Sequence, residues 1–200
     1  MNFITKLQDT TNTEQVLADL NYLLSQRPWP SENFTRKSGG NQLGITHRPN
    51  ATDVFLDADG SLLNKETGEI LGHERDFTEI NPLLPEYTRA LLKQLADSQG
   101  IQIGRARFMR LMPKTGLSIH ADAEPRYHLV LKTNPFALFG EYTGETVAAQ
   151  CYHIPADGHF YKVDTTRPHF VFNGGWEPRI HLVICDATNS DASGLTLKNS

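Results

Sequence analysis

Apolar residues recur in two stretches at helical spacing and in many shorter ones at strand spacing. In residues 11–26, TNTEQVLADLNYLLSQ, the positions Val16, Leu17, Leu20, Leu23 and Leu24 share one side of a helix, and the Thr/Asn cluster ahead of them can cap its first turn. Residues 83–100, LLPEYTRALLKQLADSQG, predict a second helix. Pro85 suits its first turn, Gly100 its end, and Tyr87, Leu91, Leu92 and Leu95 form the stripe expected to be buried. Between the helices, Pro and Gly break RPWPSENFTRKSGGN into loop. QLGITHR and DVFLD read as short strands, and DADGSLLNKETGEIL as two turns around a hairpin.

From Ile101 the pattern changes to short strand-like runs: IQIGRARFMRLM, GLSIHAD, RYHLVLKT, FALFG, TVAAQCYHI, HFYKVD, HFVFNG and RIHLVICDA. The breaks PKTG, TNP, YTGE, PADG, TTRP and GGWEP separate them. Many short strands at such spacing predict a sandwich or barrel. The expected organisation is one domain over residues 1–200, mainly β with N-terminal helices. A helical, loop-rich support region spans 1–100 and a β core spans 101–187. The polar tail TNSDASGLTLKNS is expected to fray.

Composition narrows the function classes. A net charge of -4 argues against a general nucleic-acid binder. No apolar run approaches the ~18 residues of a membrane span, and MNFITKLQDTTNTEQ lacks the apolar core of a signal peptide. Cys151 and Cys185 do not make a disulfide framework and read as buried strand thiols in a reducing cytoplasm.

Ionisable residues inside the strand-like run LSIHADAEPRYHLVL carry the candidate chemistry. His120 and Asp122, two apart on a strand, point to one face. His169, after the turn ending in Pro168, is the best third partner. Two imidazoles and one carboxylate on one face of an octahedron bind Fe(II) and leave positions open. The bland reading is a His–Asp hydrogen bond on a sheet face, and a cupin-like module that binds a metal or small anion without catalysis is a further alternative. Arg179 lies ten residues after His169, across the Gly174–Gly175 turn, where a fixed positive fork suits a carboxylate. His181 shares its parity and reads as a supporting histidine, while His153 and His159 read as solvated. Glu124, before Pro125 in a turn, also reads as solvated. Arg107 either faces the pocket or lies on a solvated strand face with Arg105. The calcium-loop-like start DADG has Gly68 where an acid is required, so it reads as a plain turn.

MPKTGLSIHADAEPRYHLVL and DTTRPHFVFNGGWEPRIHLVICD together resemble the 2-oxoglutarate/Fe(II) dioxygenases, most closely the aspartyl/asparaginyl β-hydroxylase group and the related free amino-acid (proline) hydroxylases. The matching positions are Pro113, His120, Arg126 with His128, Asp164 to His169, and Arg179 to Asp186. The resemblance covers residues 101–187 and implies a double-stranded β-helix, a jelly-roll relative of the cupins. It implies that His120 and His169 bind Fe(II), completed by Asp122, that Arg179 pairs with the far carboxylate of 2-oxoglutarate, and that Arg126 and His128 sit near its iron-chelating end. The implied reaction uses O2 to hydroxylate an unactivated C–H of an amino acid, or of an Asp/Asn/Pro-type residue in a peptide, and releases succinate and CO2. One position departs from the group: the aspartyl hydroxylases proper have no acid where this chain has Asp122. That favours the complete triad of the free amino-acid hydroxylases.

Overall fold

The computed structural model describes residues 2–30, 40–64, 66–144 and 149–188. Its elements run β1 (Ile4–Thr10), α1 (Thr13–Gln26), β2 (Gly40–Gly44), β3 (Thr46–His47), a 3-10 turn (Glu74–Asp76), β4 (Glu79–Ile80) and α2 (Glu86–Gln99). The β-rich half follows with β5 (Ile103–Leu111), β6 (Thr115–His120), β7 (Arg126–Lys132), β8 (Ala137–Tyr142), β9 (Ala149–His153), β10 (His159–Val163), β11 (His169–Asn173) and β12 (Arg179–Asp186). A six-stranded sheet in the order β1-β10-β7-β12-β5-β2 faces a four-stranded sheet in the order β6-β11-β8-β9, the two layers of a double-stranded β-helix. All their pairings are antiparallel.

Alternation along the strands of the large sheet sorts the side chains. Ala106, Phe108, Tyr127, Leu129, Leu131, Leu182 and Ile184 face outward and pack beneath Val16, Leu20 and Leu23 of α1 and Leu91, Leu92 and Leu95 of α2. The opposite parity holds Arg105, Arg107, Arg126, His128, Arg179 and His181. A smaller apolar cluster around Val130, Phe139, Tyr161, Val163 and Val171 fills the rest of the space between the sheets.

The two helices are capped differently. The Asn12 carboxamide accepts the Glu14 and Gln15 amide protons at 3.1 and 3.2 Å, as its place before α1 requires. Pro85 precedes α2 and cannot cap it with its side chain. Instead Asp19, buried in α1, accepts from the Thr88 amide at 3.0 Å and the Thr88 hydroxyl at 2.7 Å. One helix thus satisfies the first turn of the other. Gly100 closes α2 with a left-handed φ of 62°, where a side chain would be strained.

Several expectations need correction. Tyr87 is exposed, and the buried position on that side of α2 is Thr88. DVFLD is a turn: the Asp53 carboxylate accepts the Phe55 and Leu56 amide protons, and the Asp53 carbonyl accepts from Leu56 and Asp57. This local hydrogen bonding competes with strand pairing. The following hairpin does form, with Leu63 opposite Ile70. Cys151 is exposed, and only Cys185 is buried. The N-terminal half also supplies both edge strands of the large sheet, β1 and β2. The tail beyond Thr188 lies outside the described residues. Among the described residues no helix is long and apolar enough to cross a membrane.

The 3-10 turn sits against the large sheet at Gly104. A Cβ there would lie 2.6 Å from the Glu74 carbonyl oxygen and 2.9 Å from the Ala187 Cβ. The missing side chain lets Glu74 approach β5.

Asp19→Ala leaves the Thr88 donors buried without a partner, at a cost of about 2–3 kcal/mol. Thermal unfolding should show the midpoint falling by roughly 5–10 °C, with Asp19→Asn losing less.

Candidate active site

The small sheet brings two histidines together. β6 and β11 pair with His120 directly opposite His169. The chain leaves β6 at His120 and is tied down two residues later: the Asp122 amide donates to the Thr165 carbonyl at 2.8 Å, and the Thr165 hydroxyl donates to the Glu124 carbonyl at 2.7 Å. Asp122 is thereby directed between the imidazoles. Its carboxylate oxygens lie 3.9 Å from His120 Nε2 and 3.7 Å from His169 Nε2, and the three candidate ligand atoms lie within 4.8 Å of one another. These gaps are too long for the His–Asp hydrogen bond of the bland reading. Adjacent ligands held at about 2 Å from one ion lie roughly 3 Å apart, so a small inward shift of these side chains closes the set on an ion.

The outer ring nitrogens decide which lone pairs face the gap. His120 Nδ1 contacts the Ser118 carbonyl at 2.7 Å and His169 Nδ1 contacts the Arg167 carbonyl at 3.0 Å. A carbonyl only accepts, so both Nδ1 atoms carry a proton, and the tautomer this selects in a neutral ring leaves the Nε2 lone pair for the gap. Burial also holds His169 below the ordinary histidine value, in the neutral form that a metal takes. His169 is buried and His120 half-buried, so the gap opens on the His120 side.

The charged parity of the large sheet faces this gap. Arg126 Nη2 donates to Asp122 at 2.8 Å and to Glu74 of the 3-10 turn at 3.0 Å. Burial opposes the Arg126 charge, but Asp122 and Glu74 outweigh it and raise its pKa. Further along, Arg179 is 5% exposed and packs 5.0 Å from the centre of the Phe139 ring. Its Nη2 donates to His181 Nδ1 at 3.0 Å, and that nitrogen lies 3.4 Å from His128 Nδ1. Burial first, and Arg179 second, hold both histidines well below the ordinary value, so both are neutral. No ion pair joins Arg179 to a carboxylate among the described residues, and His128 Nε2 and His181 Nε2 are buried without partners. A buried guanidinium beside unfilled polar atoms is a receptor for an anion.

The sequence-predicted residues therefore fall into two groups on facing sheets, His120, Asp122 and His169 in one and Arg126, His128 and Arg179 in the other. Arg107 faces inward, 3% exposed, with Arg105 beside it. Arg105 donates to the Ala58 and Gly60 carbonyls and lies 3.5 Å from Glu74, so it anchors the preceding loop. His47 bonds the Arg48 carbonyl, and His73 lies at the start of the 3-10 turn. Trp29 packs in the core under Arg110, and Trp176 is exposed beneath Lys114. Glu74 and Thr165 are missed by sequence reasoning, since neither sits in a motif that marks it.

Glu124 is the main correction at the site. It is 5% exposed, and both its carboxylate oxygens are buried without partners among the described residues. Burial, then the nearby Glu74, push its carboxyl up to about 7 from 4.5. The folded chain favours the neutral acid, so this group's contribution to stability is present below pH 4.5 and is lost as pH rises through about 7. In the metal-free protein, Glu124→Gln should remove that loss. Thermal unfolding should show its midpoint rising above that of the parent by a few degrees at pH 8, with a smaller difference at pH 5.

A family profile described as aspartyl/asparaginyl beta-hydroxylase matches residues 10–189. Solved structures of similar fold include a 2OG-Fe(II) oxygenase family oxidoreductase from Burkholderia pseudomallei (16% identity, TM-score 0.55, covering 92% of this chain and 83% of that one). A prolyl hydroxylase from Trichoplax adhaerens, in complex with a hypoxia inducible factor oxygen degradation domain peptide fragment, is 11% identical, with a TM-score of 0.56 and coverage of 93% and 84%. A prolyl-4-hydroxylase from Pseudomonas putida is 12% identical, with a TM-score of 0.52 and coverage of 93% of each chain. Among curated proteins none matches significantly. With the profile spanning nearly the whole sequence, the chain belongs to the aspartyl/asparaginyl beta-hydroxylase family, and its fold is that of the 2-oxoglutarate/iron(II) oxygenases.

Proposed function

We propose that this protein is an Fe(II)- and 2-oxoglutarate-dependent oxygenase. It hydroxylates an unactivated C–H of an amino acid, or of an Asp/Asn/Pro-type residue in a peptide, and releases succinate and CO2. One observation carries the reading: two imidazole nitrogens and a carboxylate converge within 4.8 Å, in the same interior as an Arg179 that has no carboxylate partner among the described residues. The peptide bound by the Trichoplax prolyl hydroxylase supports a peptide residue as one form of the substrate.

In this reading His120, Asp122 and His169 would hold Fe(II), and the bound ion would be open to further ligands. Bound iron and 2-oxoglutarate supply the oxidation: one atom of O2 enters the substrate C–H bond and the other completes succinate as CO2 leaves. The protein provides the rest. Arg179 pairs with the far carboxylate of 2-oxoglutarate as a fixed fork. His181, donor-bonded by Arg179 at 3.0 Å, keeps that fork turned along the inner face. Arg126 and His128 line the path from Arg179 toward the triad. The apolar cluster around Val130, Phe139 and Val171 excludes water from the same interior. The half-buried His120 side is where the substrate enters.

Anaerobic protein given Fe(II), 2-oxoglutarate and then O2 should form succinate, and a panel of amino acids and peptides should reveal a product heavier by one oxygen. His120→Ala and Asp122→Ala should each lower iron-dependent turnover by more than the roughly 10–100-fold typical of losing an outer-sphere partner. Unchanged turnover in both would overturn the ligand assignment. Arg179→Met should raise the KM for 2-oxoglutarate about 100-fold while metal affinity, read by titration without cosubstrate, stays near that of the parent.

A further inference from the structure

The inner face of the large sheet holds one link that the reaction itself does not require. Arg126 Nη2 lies 2.8 Å from Asp122 and 3.0 Å from Glu74, so a single guanidinium nitrogen joins two carboxylates. Glu74 comes from the N-terminal half, on a 3-10 turn that approaches β5 only because residue 104 is glycine. Its Oε1 also lies 3.5 Å from Arg105, and its Oε2 is buried.

We infer that Glu74 is a positioning residue for the candidate metal centre. Through Arg126 it keeps Asp122 aimed and its carboxylate available as a donor. The inference rests on the reading of His120, Asp122 and His169 as metal ligands.

The argument is electrostatic. A lone arginine against Asp122 would compete with a cation for the same carboxylate. Glu74 shares the Arg126 charge, so less of it falls on Asp122, and the cluster carries one more negative charge close to the ion. Arg126 meanwhile fixes the direction of Asp122: with Oδ1 on Arg126, Oδ2 lies on the side of His169 Nε2, at 3.7 Å. Partners that orient a ligating carboxylate commonly govern metal affinity. The support region therefore contributes a side chain to the site as well as a surface for the β core.

The test is a double-mutant cycle on metal binding. Mn(II), whose free aqueous ion has a characteristic electron paramagnetic resonance spectrum, is titrated into the full chain and into Glu74→Gln, Arg126→Met and the double variant. Thermal unfolding of each metal-free protein is measured alongside. Glu74→Gln should weaken Mn(II) binding about 10-fold or more. In the Arg126→Met background the same change should alter affinity less than about two-fold, because the link is already cut. A purely structural role would lower the unfolding midpoint and leave the Mn(II) affinity of the folded variant unchanged, and that result overturns the inference. An equal loss in both backgrounds overturns it as well. Should Glu74→Gln fail to fold, the comparison of Arg126→Met with the double variant, which buries no lone charge of the pair, still decides: a difference between them counts against the link. A parent chain that takes up no Mn(II) defeats the metal reading itself and the inference with it.

Discussion

A guanidinium between two packed sheets must find anions, and the way Arg126 finds them ties the molecule together. It is held by Asp122, beyond the end of β6, and by Glu74, in the N-terminal half. Removing either partner would strand a buried charge, which costs far more than the intact pair contributes. The ion-pair cluster therefore does little for net stability. It specifies an arrangement, because only one docking of the 3-10 turn on β5 brings Glu74 to Arg126.

That arrangement is possible because the two faces of the large sheet differ. The outward parity of β5, β7 and β12 is apolar and is covered by α1 and α2, which supplies the main hydrophobic core. The inward parity is then free to carry arginine and histidine. Each sheet contributes one kind of chemistry. The small sheet sets two imidazoles opposite each other, with both Nδ1 protons committed to backbone carbonyls. The large sheet presents cations at graded depth, from Arg126 beside Asp122 to Arg179 behind His181. Backbone pairing fixes both sets, so neither depends on a flexible loop for its direction.

Buried atoms without partners mark where this interior is incomplete. Among the described residues His128 Nε2 and His181 Nε2 have none, and Arg179 has no carboxylate. Native interiors rarely leave such groups unmatched. Their presence at one end of the proposed iron site, in a chain whose family is one of hydroxylases, is why an anionic cosubstrate accounts for them better than packing does.

Much of this was legible in the chain because it depends on short-range periodicity. The two-residue repeat put Arg179 with His181, and the 3.6-residue repeat placed both helices. His120 and Asp122 do meet, but the strand ends at His120 and the tie to Thr165, which the repeat does not show, directs Asp122. Residues whose role depends on long-range partners were not legible. Glu124 looked solvated beside a proline, yet the closing of the sheets buries it. Glu74 carries no local signal, since its partners Arg105 and Arg126 are far along the chain. β1 was missed because an edge strand buries little, and DVFLD was misread because the Asp53 side chain captures the backbone first. The sequence by itself thus determined which side chains share a face of each element. Only the tertiary structure decided which faces meet, because burial and charge pairing arise between segments that have no fixed spacing along the chain.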